Sequence, residues 1–390
     1  MFIACALALS IAPAGLSHSD RGTRHREERL IEEAAPAPAR PLSVSFEVPV
    51  EGTSAPMLTG LENAFAVSTP AGRVTAYGAG GGAPIWQTDL ASPIAMPPLL
   101  AHGRLAVLSG TAESFEIVLL DPADGRPSAR TPLGPAGTDL VASVLKAGLA
   151  VSGTLAGTPS ILLADPNDGA VRWKVPLPSP PSVPAAQCGE MILVGTAEGA
   201  LMSLTASSGA LRWKKKIGGS ITTPLLCNGK RGYVGSADNR LHAVRLGRGR
   251  CRSLWSYPTG GDLAGRLTLF GQRVFFFSYD TYLYGVEADN GHLAWKARLG
   301  RRPRQESLVL GSLLVVAQLN TDRLESFRLP EGTQASSLSL PAGKERFVTP
   351  PARAGRMVVI GAARYGEGSS RIIGIDLLGP PNPAAPSPPR

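Results

Sequence analysis

The sequence is short of the features that announce most functions. It has only four cysteines and five histidines in 390 residues, and 18% of its residues are charged. No two cysteines are adjacent, and there is no Cys-x-x-Cys, no His-x-x-x-His and no phosphate-binding loop ending in Gly-Lys-Ser/Thr, which removes the usual redox, metal and nucleotide motifs. No Lys/Arg run is interleaved with aromatics, so the surplus of 39 Lys and Arg over 30 Asp and Glu does not read as a nucleic-acid surface. After the N-terminus no apolar run is long enough to span a bilayer as a helix. No stretch of helical period stands out in the repeat region.

Glycine and proline are abundant, with 45 and 35 copies, 80 of 390 residues. Neither survives well inside helices, so a coiled coil is excluded, and no glycine recurs every third residue as collagen would need. A turn-rich all-β protein is left. Residues Met1 to Leu16 are apolar and contain Ala12-Pro-Ala14, a small-x-small pattern resembling a secretory cleavage site, so residues 1–18 are expected to be a signal peptide. Cys5 offers lipidation as an alternative use of the same segment. Residues 19–41, charged and then Ala/Pro-rich, are expected to form a tether, with a short helix near Arg24 to Glu33 as the alternative. Residues 379–390 form a Pro-rich tail. Cys188, Cys227 and Cys251 are either free thiols or include one disulfide, such as Cys188 to Cys227.

The tryptophans carry the organisation of residues 42–378. Gly82-Ala-Pro-Ile-Trp86 recurs as Gly169-Ala-Val-Arg-Trp173, Gly209-Ala-Leu-Arg-Trp213 and Gly291-His-Leu-Ala-Trp295, and Trp255 has Cys251 at the glycine position. Degenerate copies place Ala129 and Ser336 in the remaining gaps, and the steps between copies run from 40 to 44 residues. That period belongs to four-stranded propeller blades. An acid precedes several of the glycines by four residues (Asp121, Asp165, Glu287), where it can accept backbone N–H groups in the turn. The Trp then falls on an outer strand and can wedge between sheets.

One more period back from Trp86 lies Phe46. Counting it, the outer strands are centred near 46, 86, 129, 173, 213, 255, 295 and 336. The expected fold is therefore a single eight-bladed β-propeller of four-stranded antiparallel blades, with Phe46, Trp86, Trp173, Trp213, Trp255 and Trp295 as structural staples. The strand around Phe46 should complete the last blade near Ile372 to Leu377, which removes an unpaired edge.

The Asp-x-x-x-Gly-x-x-x-Trp signature in eight copies resembles the quinoprotein-like (PQQ-like) propeller repeat family. Quinoprotein dehydrogenases of that kind are longer and carry a vicinal cysteine pair that is missing here. In size and layout the chain is similar to BamB-type outer-membrane assembly factors. That resemblance implies a periplasmic, monomeric, non-catalytic scaffold with a protein partner, possessing no cofactor and no metal site. The alternatives are an exported sensor or interaction propeller for another partner, and a quinone-binding protein. Acid pairs such as Asp121 with Asp124 fall in the repeat turn, which explains them without chemistry. One feature is left over. The late connections carry Arg266, Arg301, Arg302, Arg304, Lys344 and Arg346. They are expected to form a basic sector on one face, over the last three blades, that docks an acidic segment of a partner.

Overall fold

Short β-branched runs cut by Gly, Asn and Asp turns fold as antiparallel hairpins. The computed structural model of the chain describes residues 40–137, 139–299, 307–318 and 320–377, and those residues hold strands and turns with no helix. The signal, Cys5, most of the tether and the tail lie outside them.

The strands form eight sheets. Blade one runs Met57–Gly60, Ala64–Ser68, Arg73–Gly78 and Gly81–Asp89, and blades two to six repeat that order with outer strands Pro127–Gly134, Val171–Pro176, Leu211–Lys216, Cys251–Pro258 and Leu293–Arg298. Blade seven ends on Gln334–Ser339. Blade eight takes Met357–Arg364 and Ser370–Ile375 from the end of the chain and Val44–Val50 from its beginning. Phe46 pairs with Gly374 and Val48 with Ile372, so the ring is closed by the N-terminal strand as the repeat count requires. Each of the eight expected outer-strand centres falls inside an outer strand.

Two details depart from the regular pattern. The inner strand of blade eight is split into Glu345–Phe347 and Ala352–Ala354, both paired to Met357–Arg364. Pro350 and Pro351 lie in the gap, where neither can donate to a ladder. Arg40–Pro41, read from sequence as the end of a tether, pairs in parallel with Ser336 and Ser337 on the outer edge of blade seven.

The core is divided among the joints. Eight clusters of buried apolar side chains each span two neighbouring blades, from Val74, Trp86 and Val118 between blades one and two to Phe65, Val359 and Ile372 between blades eight and one. The outer-strand aromatics lie over the turn of the next blade. A Cβ added to Gly125 would fall 2.3 Å from the Trp86 ring, and Gly209 is covered by Trp173, Gly291 by Trp255 and Gly332 by Trp295 in the same way. These glycines have φ between 71° and 76°, so the positive φ and the close approach both require glycine. In blade one the covered residue is Gly81, not the Gly82 of the sequence repeat, and Phe46 is the ring above it. The indole N–H of Trp86 donates to the Pro122 carbonyl, that of Trp173 to Ala206 and that of Trp213 to Gly247, each at 2.9 Å. The indole nitrogens of Trp255 and Trp295 are buried with no hydrogen-bond partner among the described residues. At the Trp255 joint the equivalent acceptor, the Ala288 carbonyl, takes the Tyr233 hydroxyl at 3.0 Å instead.

The turn acids behave individually. Asp121 and Asp165 accept N–H bonds from Ala123 and Asn167, at 3.0 and 2.9 Å, which hold both carboxyls below the usual range. Glu287, with a longer side chain, instead meets Arg273 at 2.9 Å.

Candidate functional site

The first strands of blades two to five approach one another around the axis, and their alternate side chains face away from the joints. Leu100 and Val144 are left 37% and 39% exposed by this arrangement. They help line a cavity of about 1060 Å³ that also reaches Lys146, Glu190, Arg212 and Arg266. Arg212 is held in place, with Nε donating to the Thr205 hydroxyl at 2.9 Å and its guanidinium 3.7 Å from Glu190. The lining is thus an apolar shelf with three cations and one carboxylate on it. Such a surface can hold an extended segment of another chain by shape and charge. Among the described residues no three His, Cys, Asp or Glu side chains converge as a metal site would require.

The sequence-derived basic sector is distributed over different elements. Arg266 is not in a connection. It belongs to the inner strand Leu263–Phe270 of blade six, where the register to the next strand shifts between Ala264 and Thr268. Gly265, at φ 70°, turns the backbone there, and Arg266 lines the cavity. The bulge lengthens the strand by residues that a uniform repeat assigns to the loop. Arg301, Arg302 and Arg304 lie outside the described residues.

Lys344 is exposed in the connection to blade eight, but the residues that follow it, Glu345 and Arg346, belong to a strand. Arg346 lies on the strand Glu345–Phe347, half-buried, with its guanidinium 4.9 Å from the centre of the Tyr365 ring. Glu345, between the two cations, is 4% exposed. Arg371 grips both of its oxygens, at 2.5 and 2.6 Å, and Arg364 adds a third contact at 3.3 Å. The Arg371 guanidinium holds the Glu345 carboxyl below the usual carboxylate range, with Arg364 adding to the effect. Arg371 also reaches Glu47 on the N-terminal strand at 3.2 Å, so this cluster ties the two ends of the chain together. The structure therefore sets Lys344 and Arg346 beside Glu345 in sequence but leaves them outside its ion network, with Arg346 over the Tyr365 ring, and places Arg266 on the cavity wall.

Sequence reading passed over the cavity. Its apolar members sit in inner strands that read as core, and only their exposure distinguishes them. The three cysteines among the described residues resolve into one pair and one thiol. Cys188 and Cys227, on neighbouring inner strands, form a disulfide with Cα atoms 5.9 Å apart, joining blades four and five. Cys251 remains free, and burial pushes its thiol up to about 11.

The family model described as outer membrane protein assembly factor BamB matches residues 44–128 and 157–376. The chain belongs to that family. The unmatched stretch of the BamB-family repeat, 129–156, begins at the degenerate copy where Ala129 stands for Trp. Among solved structures, BamB from Moraxella catarrhalis is 16% identical, with a TM-score of 0.47 over 85% of this chain and 99% of that one. The computationally designed Ika8 protein is 11% identical, with a TM-score of 0.64 over 83% of this chain and 98% of that one, a likeness of fold alone. No curated protein matches the chain by sequence.

Proposed function

We propose that this protein is a non-catalytic scaffold of the bacterial cell envelope that works in outer-membrane protein assembly, as its family description indicates. The observation that carries this reading is the family match, which covers seven of the eight blades in whole or large part. The cavity beside the axis adds support, because it offers an open apolar and basic shelf to a partner segment instead of an enclosed reaction chamber. In this reading the mature chain faces the periplasm, needs no cofactor, and reaches the membrane through its partner or through a lipid on Cys5. The cations Arg266, Arg301, Arg302, Arg304, Lys344 and Arg346 supply the positive field for an acidic partner segment.

The test is recovery of the tagged, full-length protein from detergent-solubilised envelopes. A barrel-assembly complex should co-purify, and Arg302→Glu with Arg304→Glu should reduce its yield and flatten the salt dependence. Recovery with a different partner and no barrel-assembly component would overturn the assembly role while leaving the propeller as an exported interaction module.

A further inference from the structure

Blade five lacks a charge pairing that blades two and six make. In blade six, Arg273 stands opposite Glu287 on the adjacent strand and pairs with it. In blade two, Arg104 likewise pairs with Asp121. The corresponding place in blade five holds Arg231 opposite Arg245, and the next strand out sets Arg252 opposite Arg245. Three arginines therefore lie side by side across three strands, an arrangement that repels.

Only the innermost is compensated. Arg231 pairs with Asp289, which reaches over from the turn of blade six. Arg245 and Arg252 are exposed and form no ion pair among the described residues. Arg248 and Arg250 stand exposed on the hairpin between them, where the Gly247 N–H donates to the Arg250 carbonyl at 3.0 Å. Over residues 226–258 the blade carries seven Lys and Arg but one acid, Asp238, and that acid is 2.8 Å from His242. A fold keeps such a local conflict where a ligand relieves it.

We infer that the rim of blade five is a docking site for an acidic protein segment, whose carboxylates pair with Arg245 and Arg252 as Asp289 pairs with Arg231. The molecule itself indicates the ligand chemistry. At this position blades two and six supply a side-chain carboxylate, and the anion that pairs with Arg231 on this ladder, Asp289, is a carboxylate on a neighbouring loop. Guanidinium groups favour such partners because they bind both oxygens at once. Neighbouring strands are about 5 Å apart and alternate residues of an extended chain about 7 Å, so acids two residues apart can meet both arginines. This site is separate from the basic sector discussed above and does not depend on the outer-membrane reading.

The experiment uses the full chain and a short fluorescent peptide alternating Glu and Thr. Anisotropy at low salt should show binding that weakens as NaCl rises. Arg245→Glu with Arg252→Gln should weaken it about tenfold or more. Lys174→Glu with Arg298→Gln, the same charge change on other blades, should alter it less than about threefold. Because Arg245→Glu recreates the pairing of Arg273 with Glu287, the ladder variant should also keep or raise its melting temperature. Three results would each overturn the proposal: peptide binding unchanged in the ladder variant, equal loss in the control variant, or a melting temperature lowered by more than about 2 °C. Tight binding of a single-stranded oligonucleotide or of phosphatidylglycerol vesicles through the same arginines, without peptide binding, would overturn the carboxylate assignment.

Discussion

The joint between blades four and five and the joint between blades eight and one solve the same problem with different chemistry. At the first, the polypeptide runs straight through. Trp213 is 7% exposed and donates its indole proton across the joint, and the Cys188–Cys227 disulfide adds a covalent tie near the axis. At the second, the chain also passes directly, from Val50 to Met57, but inside blade eight it is interrupted, since the outer strand pairs with residues some 320 positions later. There Phe46, which has no polar atom to donate, stacks on Phe65 at 5.9 Å, and Phe65 stacks on Tyr77 at 5.4 Å. Inside blade eight the outer strand is fastened by a polar device, Arg371 held between Glu345 and Glu47. A buried ion cluster adds little net stability but fixes geometry, because the wrong pairing leaves a charge buried alone. The ladder that closes blade eight is where register must be specified, and that is where the cluster is.

The sharpest way to break this contrast is to remove one side of the cluster. Glu345→Ala leaves the Arg371 guanidinium without its main partner and should cost about 3–5 kcal/mol in urea unfolding. Its pH dependence follows from the lowered pKa of Glu345. The stabilisation is fully present above the ordinary carboxylate pKa of about 4.3 and is lost as pH falls through the lower folded value. The wild-type melting temperature should therefore drop in that acid range, and the part due to Glu345 should be missing in the variant.

A somewhat smaller effect is expected at the joint between blades four and five. Cys188→Ser with Cys227→Ser opens a cross-link spanning 39 positions and should cost about 2–4 kcal/mol, measured against the wild type in non-reducing urea titrations. Added reductant should lower the wild-type midpoint and leave the variant unmoved.

The smallest expected difference separates tryptophans that look alike. Trp213→Phe removes the bond to the Gly247 carbonyl and should cost about 1 kcal/mol more than Trp255→Phe, which removes a buried donor that has no partner. Equal costs in the two variants would mean that ring volume alone governs the joint.

Most of the fold was legible because its signals are periodic and large. Tryptophan is rare in this chain, so five copies near one spacing identify the outer strands, and the step back to Phe46 locates the closing strand without any tryptophan there. The candidate surfaces were legible only in part, because each depends on an irregularity. A bulge at Gly265 moves Arg266 from a connection to the cavity wall. Glu345 reads as one more acid in a basic loop, and its burial depends on an arginine 26 positions later. The arginines of blade five look scattered along the chain. Only cross-strand register shows that Arg231, Arg245 and Arg252 are neighbours. A spacing near one repeat made Cys188 and Cys227 candidates for pairing, but thiols in matching places on adjacent blades also pack as ordinary apolar groups.

The antiparallel clasp has a mechanical corollary. Val44 lies opposite Ile375, so the two chain ends leave the ladder from the same end. Tension between them loads the rungs one after another, as in a zip fastener, and not all together in shear. The parallel contact of Arg40–Pro41 on blade seven lies upstream of that first rung and takes the strain before it. A ring packed through eight joints thus has one ladder, inside blade eight, that a pull on the chain ends would open rung by rung, with those two residues as its catch.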